Sequence, residues 1–121
     1  MEVTRCDLLI VGTGAGAMTA ALRASKAGLK VLMVEKEDMF GGASARSGGG
    51  IWIPNSDHAA RLGGQDSADK AMTYFRDQTG DRFNEANVAA FIANGPEMLN
   101  FVEQASSLRF QVAMGYGDYH C

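Results

Sequence analysis

Residues 7–36 read DLLIVGTGAGAMTAALRASKAGLKVLMVEK. Leu8, Leu9, Ile10 and Val11 make a continuous apolar run, the pattern of a parallel strand covered on both faces. Gly12 allows a tight turn out of that strand, and Gly14 leaves room for a pyrophosphate to approach the backbone. Ala17 takes the third slot, where a small side chain lets helix and strand pack closely. Free N–H groups at the start of the next helix then face the phosphates with the helix dipole behind them. Ala17, Ala20, Ala21 and Ala24 recur at helical spacing and predict a narrow face lying on the sheet. Gly28 stops the helix, and Leu29 to Val34 form the second strand. Glu35 follows about 20 residues after the glycines, where its carboxylate can accept from ribose hydroxyls. An acid there disfavours a 2′-phosphate. Strand, turn, helix, second strand and acid agree on a dinucleotide-binding βαβ unit, so the fold class is α/β and Rossmann-like.

Length and composition bound the remainder. At 121 residues the chain is one domain at most. Glycine accounts for 15 of them, about 12% against a usual ~7%. The excess clusters in the phosphate turn and between Phe40 and Gly50, which marks backbone-lined ligand surface. Net charge is -3 with no basic block, so nucleic acid is not an expected partner. Cys6, read as part of the first strand, and Cys121 form no disulfide framework or metal spacing, which suits a reducing cytoplasm. Leu8 to Leu22 is uncharged, but glycines interrupt it and it is shorter than the ~20 apolar residues of a membrane span. No targeting segment or membrane helix is expected.

A second stretch, Phe40 to Pro54, reads FGGASARSGGGIWIP. A nicotinamide-binding domain normally proceeds here to another helix and strand. This chain becomes a polar glycine-rich loop that can run beside a flat ring and donate N–H groups to it. A flexible linker is the competing reading. Ile51, Trp52 and Ile53 weigh against it, since linkers seldom end in buried-type apolar residues.

Helices are expected between these stretches. One runs from Ser67 to Thr79 with Ala71, Met72, Tyr74 and Phe75 on one side. A second is capped by Asn84 and runs through Val88, Phe91 and Ile92 to Gly95. A third opens at Pro96 and buries Met98, Leu99, Phe101 and Val102. Leu108 to Ala113 reads as a strand. His58 reads as a solvated histidine, and Asp66, Asp69, Asp77 and Asp81 as caps or solvated faces.

The runs DLLIVGTGAGAMTAA, VEK, FGGASARSGGGIWIP, GPEML and GYGDY, in this order and spacing, resemble FAD-dependent 3-ketosteroid dehydrogenases. These belong to the succinate dehydrogenase/fumarate reductase flavoprotein superfamily. The resemblance runs from Asp7 to Tyr119. It implies FAD with its pyrophosphate at Gly12, Gly14, Ala15 and Gly16, and its adenosine ribose at Glu35 with Lys36 beside it. It implies that Gly42, Ser44, Ser47, Gly49 and Gly50 follow the pyrophosphate and ring. Superfamily members with covalent FAD carry a histidine ahead of their glycine pair. Ala43 takes that place here, which implies noncovalent FAD. The implied reaction removes two hydrogens from a 3-ketosteroid ring: a tyrosine takes a proton beside the ketone and the flavin takes a hydride from the next carbon. Tyr119 is implied to assist the base and Tyr116 to face substrate, while His120 departs from the tyrosine common at its place.

The expected activity is therefore dehydrogenation of a steroid ring, with a small-molecule substrate and an electron acceptor such as a quinone. Two other readings stay open. One is a fumarate reductase or succinate dehydrogenase type flavoprotein acting on dicarboxylates. The other is an FAD- or NAD-holding module without activity of its own. The catalytic base and the carbonyl-polarising tyrosine of the family have no counterpart here. That predicts a 1–121 stretch which is the N-terminal portion of an FAD-binding domain in a longer protein, inactive alone.

Overall fold

The computed structural model describes residues 3–115, so Tyr116, Tyr119, His120 and Cys121 lie outside the described residues. The chain divides into two compact units, Met1–Ile51 and Trp52–Cys121.

The first unit is a βαβ unit. Strand β1 (Leu8–Val11) and strand β2 (Val31–Val34) pair in parallel, with Leu8 opposite Val31 and Val11 opposite Val34. Asp7 starts the register: its N–H donates to the Lys30 carbonyl and its carboxylate accepts from the Lys30 N–H, both at 2.8 Å. Helix α1 (Ala15–Lys26) joins the strands and packs on both. It ends at Ala27, and Gly28 turns the chain at φ +83°. The sequence reading of this unit holds, with four corrections. β2 begins at Val31 instead of Leu29, and Cys6 precedes β1. The helix stripe is Ala17, Ala21 and Ala24, while Ala20 is exposed. At about 100° per residue Ala20 lies a quarter turn from Ala21, on the edge of the stripe. β1 is also covered on one face alone: Ile10 is buried, whereas Leu9 and Val11 are 54% and 78% exposed.

A one-turn helix α2 (Gly42–Arg46) follows within the glycine-rich stretch that was read as loop. Its N-terminus is set by Gly41, at φ +110°. A Cβ on Gly41 would stand 2.5 Å from the Ala45 Cβ, so only glycine fits.

The second unit is helical. Short helix α3 (Asp57–Arg61) has Ser56 as its cap. Helix α4 (Ala68–Thr79) is capped by Ser67, and helix α5 (Glu85–Ala105) by Asn84, whose side chain accepts from the Asn87 N–H. A 3₁₀ turn (Gly80–Arg82) links α4 and α5, which pack on each other. The core is Ala71, Ile92, Leu99 and Val102. Trp52 lies against Tyr74, Phe75 and Phe91 with ring centroids 5.2, 5.1 and 6.5 Å away. Ile51 and Trp52 nonetheless stay about half exposed, which their apolar character did not suggest.

Two sequence readings of this unit are overturned. Pro96 opens no third helix; α5 runs through it as one element. An internal proline costs ~3 kcal/mol. Ile92, Leu99 and Val102 continue one buried stripe across it, and each such burial contributes about 1.5–3 kcal/mol. The residues from Leu108 to Ala113 form no strand. Their amides are taken by side chains: Leu108 N–H donates to Ser106 Oγ and Phe110 N–H to Glu103 Oε1. The Arg109 guanidinium fastens the turn by donating to the carbonyls of Glu103, Ser106 and Leu108.

Candidate functional site

The site is built on the turn between β1 and α1. Gly12 leaves the strand at φ +94° and donates to the Val34 carbonyl at 2.7 Å, which holds the turn against the end of β2. Gly14 is the N-cap of α1 and supplies no side-chain cap. The first-turn amides of α1 therefore point out of the helix without an intrahelical acceptor. A Cβ at Gly12 or Gly16 would meet nothing within 4 Å. Open space thus lies over a turn of N–H donors at the positive end of a 12-residue helix, the arrangement that suits an anionic pyrophosphate.

The glycine-rich segment closes on this turn. Ser44 Oγ accepts from the Ala15 N–H at 3.1 Å and lies 3.7 Å from where a Gly14 Cβ would be. A Gly42 Cβ would come within 3.8 Å of the Gly14 N and Cα, so two glycine backbones face each other there. Ser47 Oγ donates to the Ser44 carbonyl and accepts from the Gly49 N–H, at 2.8 and 3.1 Å. Gly49 and Gly50 are exposed beyond it. The structure thus brings Gly12, Gly14, Ala15, Gly16, Gly42 and Ser44 together and strings Ser47, Gly49 and Gly50 along the outgoing segment.

Glu35 sits just past β2. Its Oε1 accepts from the Lys36 and Glu37 N–H groups at 2.9 and 3.3 Å, and its Oε2 from the Thr13 hydroxyl at 2.5 Å. The Thr13 hydroxyl first, and the Glu37 and Lys36 amides after it, hold the Glu35 carboxyl below the usual carboxylate range. It is therefore an anion that accepts hydrogen bonds only. Lys36 is exposed and pairs with Glu37 at 3.1 Å.

Thr13 escaped the sequence reading. It lies between the two glycines of the turn, and the pattern leaves that place open. Its one signal is a hydroxyl where any residue would serve. A second network was also missed. Glu103 Oε1 accepts from His58 Nε2 at 3.1 Å as well as from Phe110. With 13% of its side chain exposed, His58 is no solvated histidine. Among the described residues no group of side chains could hold a metal ion, and no helix is long and apolar enough to cross a membrane.

Residues 7–117 match the family described as FAD binding domain. The chain belongs to that family. Its members give FAD as the cofactor class. The chain is 41% identical over 120 residues to a 3-oxosteroid 1-dehydrogenase of Mycobacterium tuberculosis, which covers 99% of this chain and 21% of the relative. It is 40% identical over 113 residues to a 4-oxocyclohexanecarboxylate 2-dehydrogenase of Sinomonas cyclohexanicum, covering 93% of the chain and 20% of the relative. Among solved structures it resembles the 3-ketosteroid delta1-dehydrogenase of Sterolibacterium denitrificans, crystallised with 1,4-androstadiene-3,17-dione. That match has a TM-score of 0.75 and 42% identity, over 82% of this chain and 17% of the other. The chain thus spans about a fifth of the relatives it matches. The resemblance read from the sequence is confirmed at the level of family and fold.

Proposed function

We propose that these 121 residues supply the adenosine and pyrophosphate part of an FAD site in a flavoprotein that desaturates a ring beside a ketone, with a 3-ketosteroid as substrate. The observation that carries the cofactor reading is the first turn of α1, given no side-chain cap by Gly14, open above Gly12 and Gly16 and accompanied by an ionised Glu35. The pyrophosphate would lie over Gly12, Gly14, Ala15 and Gly16. Glu35 would accept from the adenosine ribose with Lys36 beside it, and Gly42, Ser44, Ser47, Gly49 and Gly50 would follow the cofactor outward. Ala43 has no nitrogen to bond the ring, so FAD is held noncovalently. When bound, FAD supplies the two-electron acceptor for the hydride leaving the substrate ring.

The substrate reading rests on the relatives. Both named dehydrogenases act, by their names, on a ring bearing a ketone. The near-equal identity to the cyclohexane enzyme supports a second reading, a monocyclic oxo-acid as substrate. Tyr119 as an assisting tyrosine and Tyr116 as a substrate-facing one are proposed from the GYGDY resemblance, and both lie outside the described residues. The rest of the catalytic set would come from further sequence, in keeping with the share of the relatives that this chain covers. A quinone-type electron acceptor and a cytoplasmic location complete the proposal.

The test is the visible spectrum of the purified full-length protein under anaerobic conditions. Bleaching of the flavin band by 4-androstene-3,17-dione supports the steroid reading. Bleaching by 4-oxocyclohexanecarboxylate alone selects the second. A flavin that neither reduces, but that fumarate reoxidises after chemical reduction, sinks both in favour of dicarboxylates.

A further inference from the structure

Thr13 is buried, 8% exposed, between the half-buried Gly12 and Gly14. Its hydroxyl has one proton to donate and lone pairs to accept with. The ionised Glu35 can only accept and the Gly41 amide can only donate, so both directions are fixed: Thr13 Oγ1 donates to Glu35 Oε2 and accepts from Gly41 N–H at 2.7 Å. One side chain thereby joins three segments: the β1–α1 turn, the residue after β2, and the start of α2, separated from it by 22 and 28 positions. Gly41 holds a left-handed conformation that only glycine takes, so its amide direction is a fixed feature of the turn. Glu35 has two further amides on its other oxygen. Its carboxylate is thus pinned on both oxygens, with the Thr13 bond the one that reaches back to the phosphate turn.

We propose that Thr13 is a positioning residue of the cofactor site: its hydroxyl locks the Glu35 carboxylate and the Gly41 amide in place, so that the ribose-facing acid and the following glycine segment are set before the cofactor arrives. This rests on the FAD reading above. Preorganisation of this kind acts on affinity, because a loose carboxylate must be ordered when ligand binds.

Apoprotein of the full-length chain is titrated with FAD, and separately with ADP and FMN, for the native protein and for Thr13→Val, Thr13→Ser and Glu35→Ala. Thr13→Val keeps the shape and deletes the hydroxyl; it is expected to weaken FAD and ADP by about tenfold or more and FMN little. Thr13→Ser restores the hydroxyl and should return FAD affinity to within about threefold of native. In the Glu35→Ala background, Thr13→Val should cost much less than in the native one, since the shared bond is already gone. A merely structural role would not produce that coupling. Equal losses in Thr13→Val and Thr13→Ser, or an undiminished loss in the Glu35→Ala background, would overturn the proposal. Should Thr13→Val not fold, Thr13→Ala carries the same expectation. If native protein binds neither FAD nor ADP while folded, the parent reading fails instead, and that outcome is distinct from any pattern among the variants.

Discussion

The two units of this chain hold themselves together by different means. Unit Met1–Ile51 buries little: among its described residues the buried apolar ones are Ile10 and Ala24, while Leu9, Val11, Val34, Met39 and Phe40 are exposed. Its order resides in backbone and polar bonds: a parallel ladder, glycines at positive φ, and the Thr13 hydroxyl's bonds to Glu35 and Gly41. Unit Trp52–Cys121 buries a helical stripe of Ala71, Ile92, Leu99 and Val102 and closes its helices with Ser56, Ser67 and Asn84. Surface held open for a ligand cannot also be core. The first unit leaves its glycines and first-turn amides facing open space, as the proposed cofactor site requires, whereas the second uses its side chains for packing.

If that contrast is right, substitutions should sort by unit. The largest effect is expected from Gly14→Val. A branched side chain at the α1 N-cap fills the space over the phosphate turn, and FAD binding should be lost. Flavin content of the purified full-length variant checks this, with circular dichroism expected to stay native; normal flavin retention would end the pyrophosphate assignment. Leu99→Ala is the counterpart in the second unit. Leu99 is 4% exposed, and truncating it should cost about 2–5 kcal/mol in urea unfolding. FAD affinity of the folded variant should be unchanged, and a parallel fall in affinity would show that the two units are not independent. Asn84→Ala removes the cap that accepts from Asn87 at 3.0 Å. It should cost about 1 kcal/mol in the same assay, with cofactor binding untouched.

How far the sequence could be read follows the same division. β1, α1 and the Gly28 stop were legible because a glycine turn between a parallel strand and a helix needs particular residue types at fixed spacing. Helix α4 and the Asn84 cap were legible because caps and 3.6-residue periodicity are local. Pro96 misled, since a local breaker was weighed without the buried stripe on either side of it. Leu108, Phe110 and Val112 alternate as a strand would, but Ser106, Glu103 and Arg109 capture the backbone groups a ladder needs. Thr13 and His58 share a cause: each depends on a partner more than 20 residues away, and no local pattern announces such a bond.

The smallest predicted effect is also the one that compares the units on the same chemistry, since among the described residues each holds one carboxylate below its ordinary range. In the first unit Glu35 is held by the Thr13 hydroxyl, in the turn between β1 and α1. In the second Glu103 is held by the Phe110 N–H first and by His58 next, and ties the segment after α5 back to the helix. A carboxyl whose folded pKa lies below its unfolded one stabilises the fold above the unfolded value, and that contribution disappears as pH falls through the folded value. Glu103→Gln should therefore flatten the acid side of the stability profile, measured as the urea midpoint from about pH 7 down to about pH 3. The amide oxygen can still accept from Phe110, so the loss at neutral pH should be no larger than the acid-labile contribution of the native carboxylate. FAD affinity should keep its native pH profile, because Glu35 is unaltered. A Glu103→Gln profile that keeps the native acid slope would place the acid-sensitive contribution elsewhere. A changed FAD profile would mean that the carboxylate of the packing unit reaches the ligand-binding one.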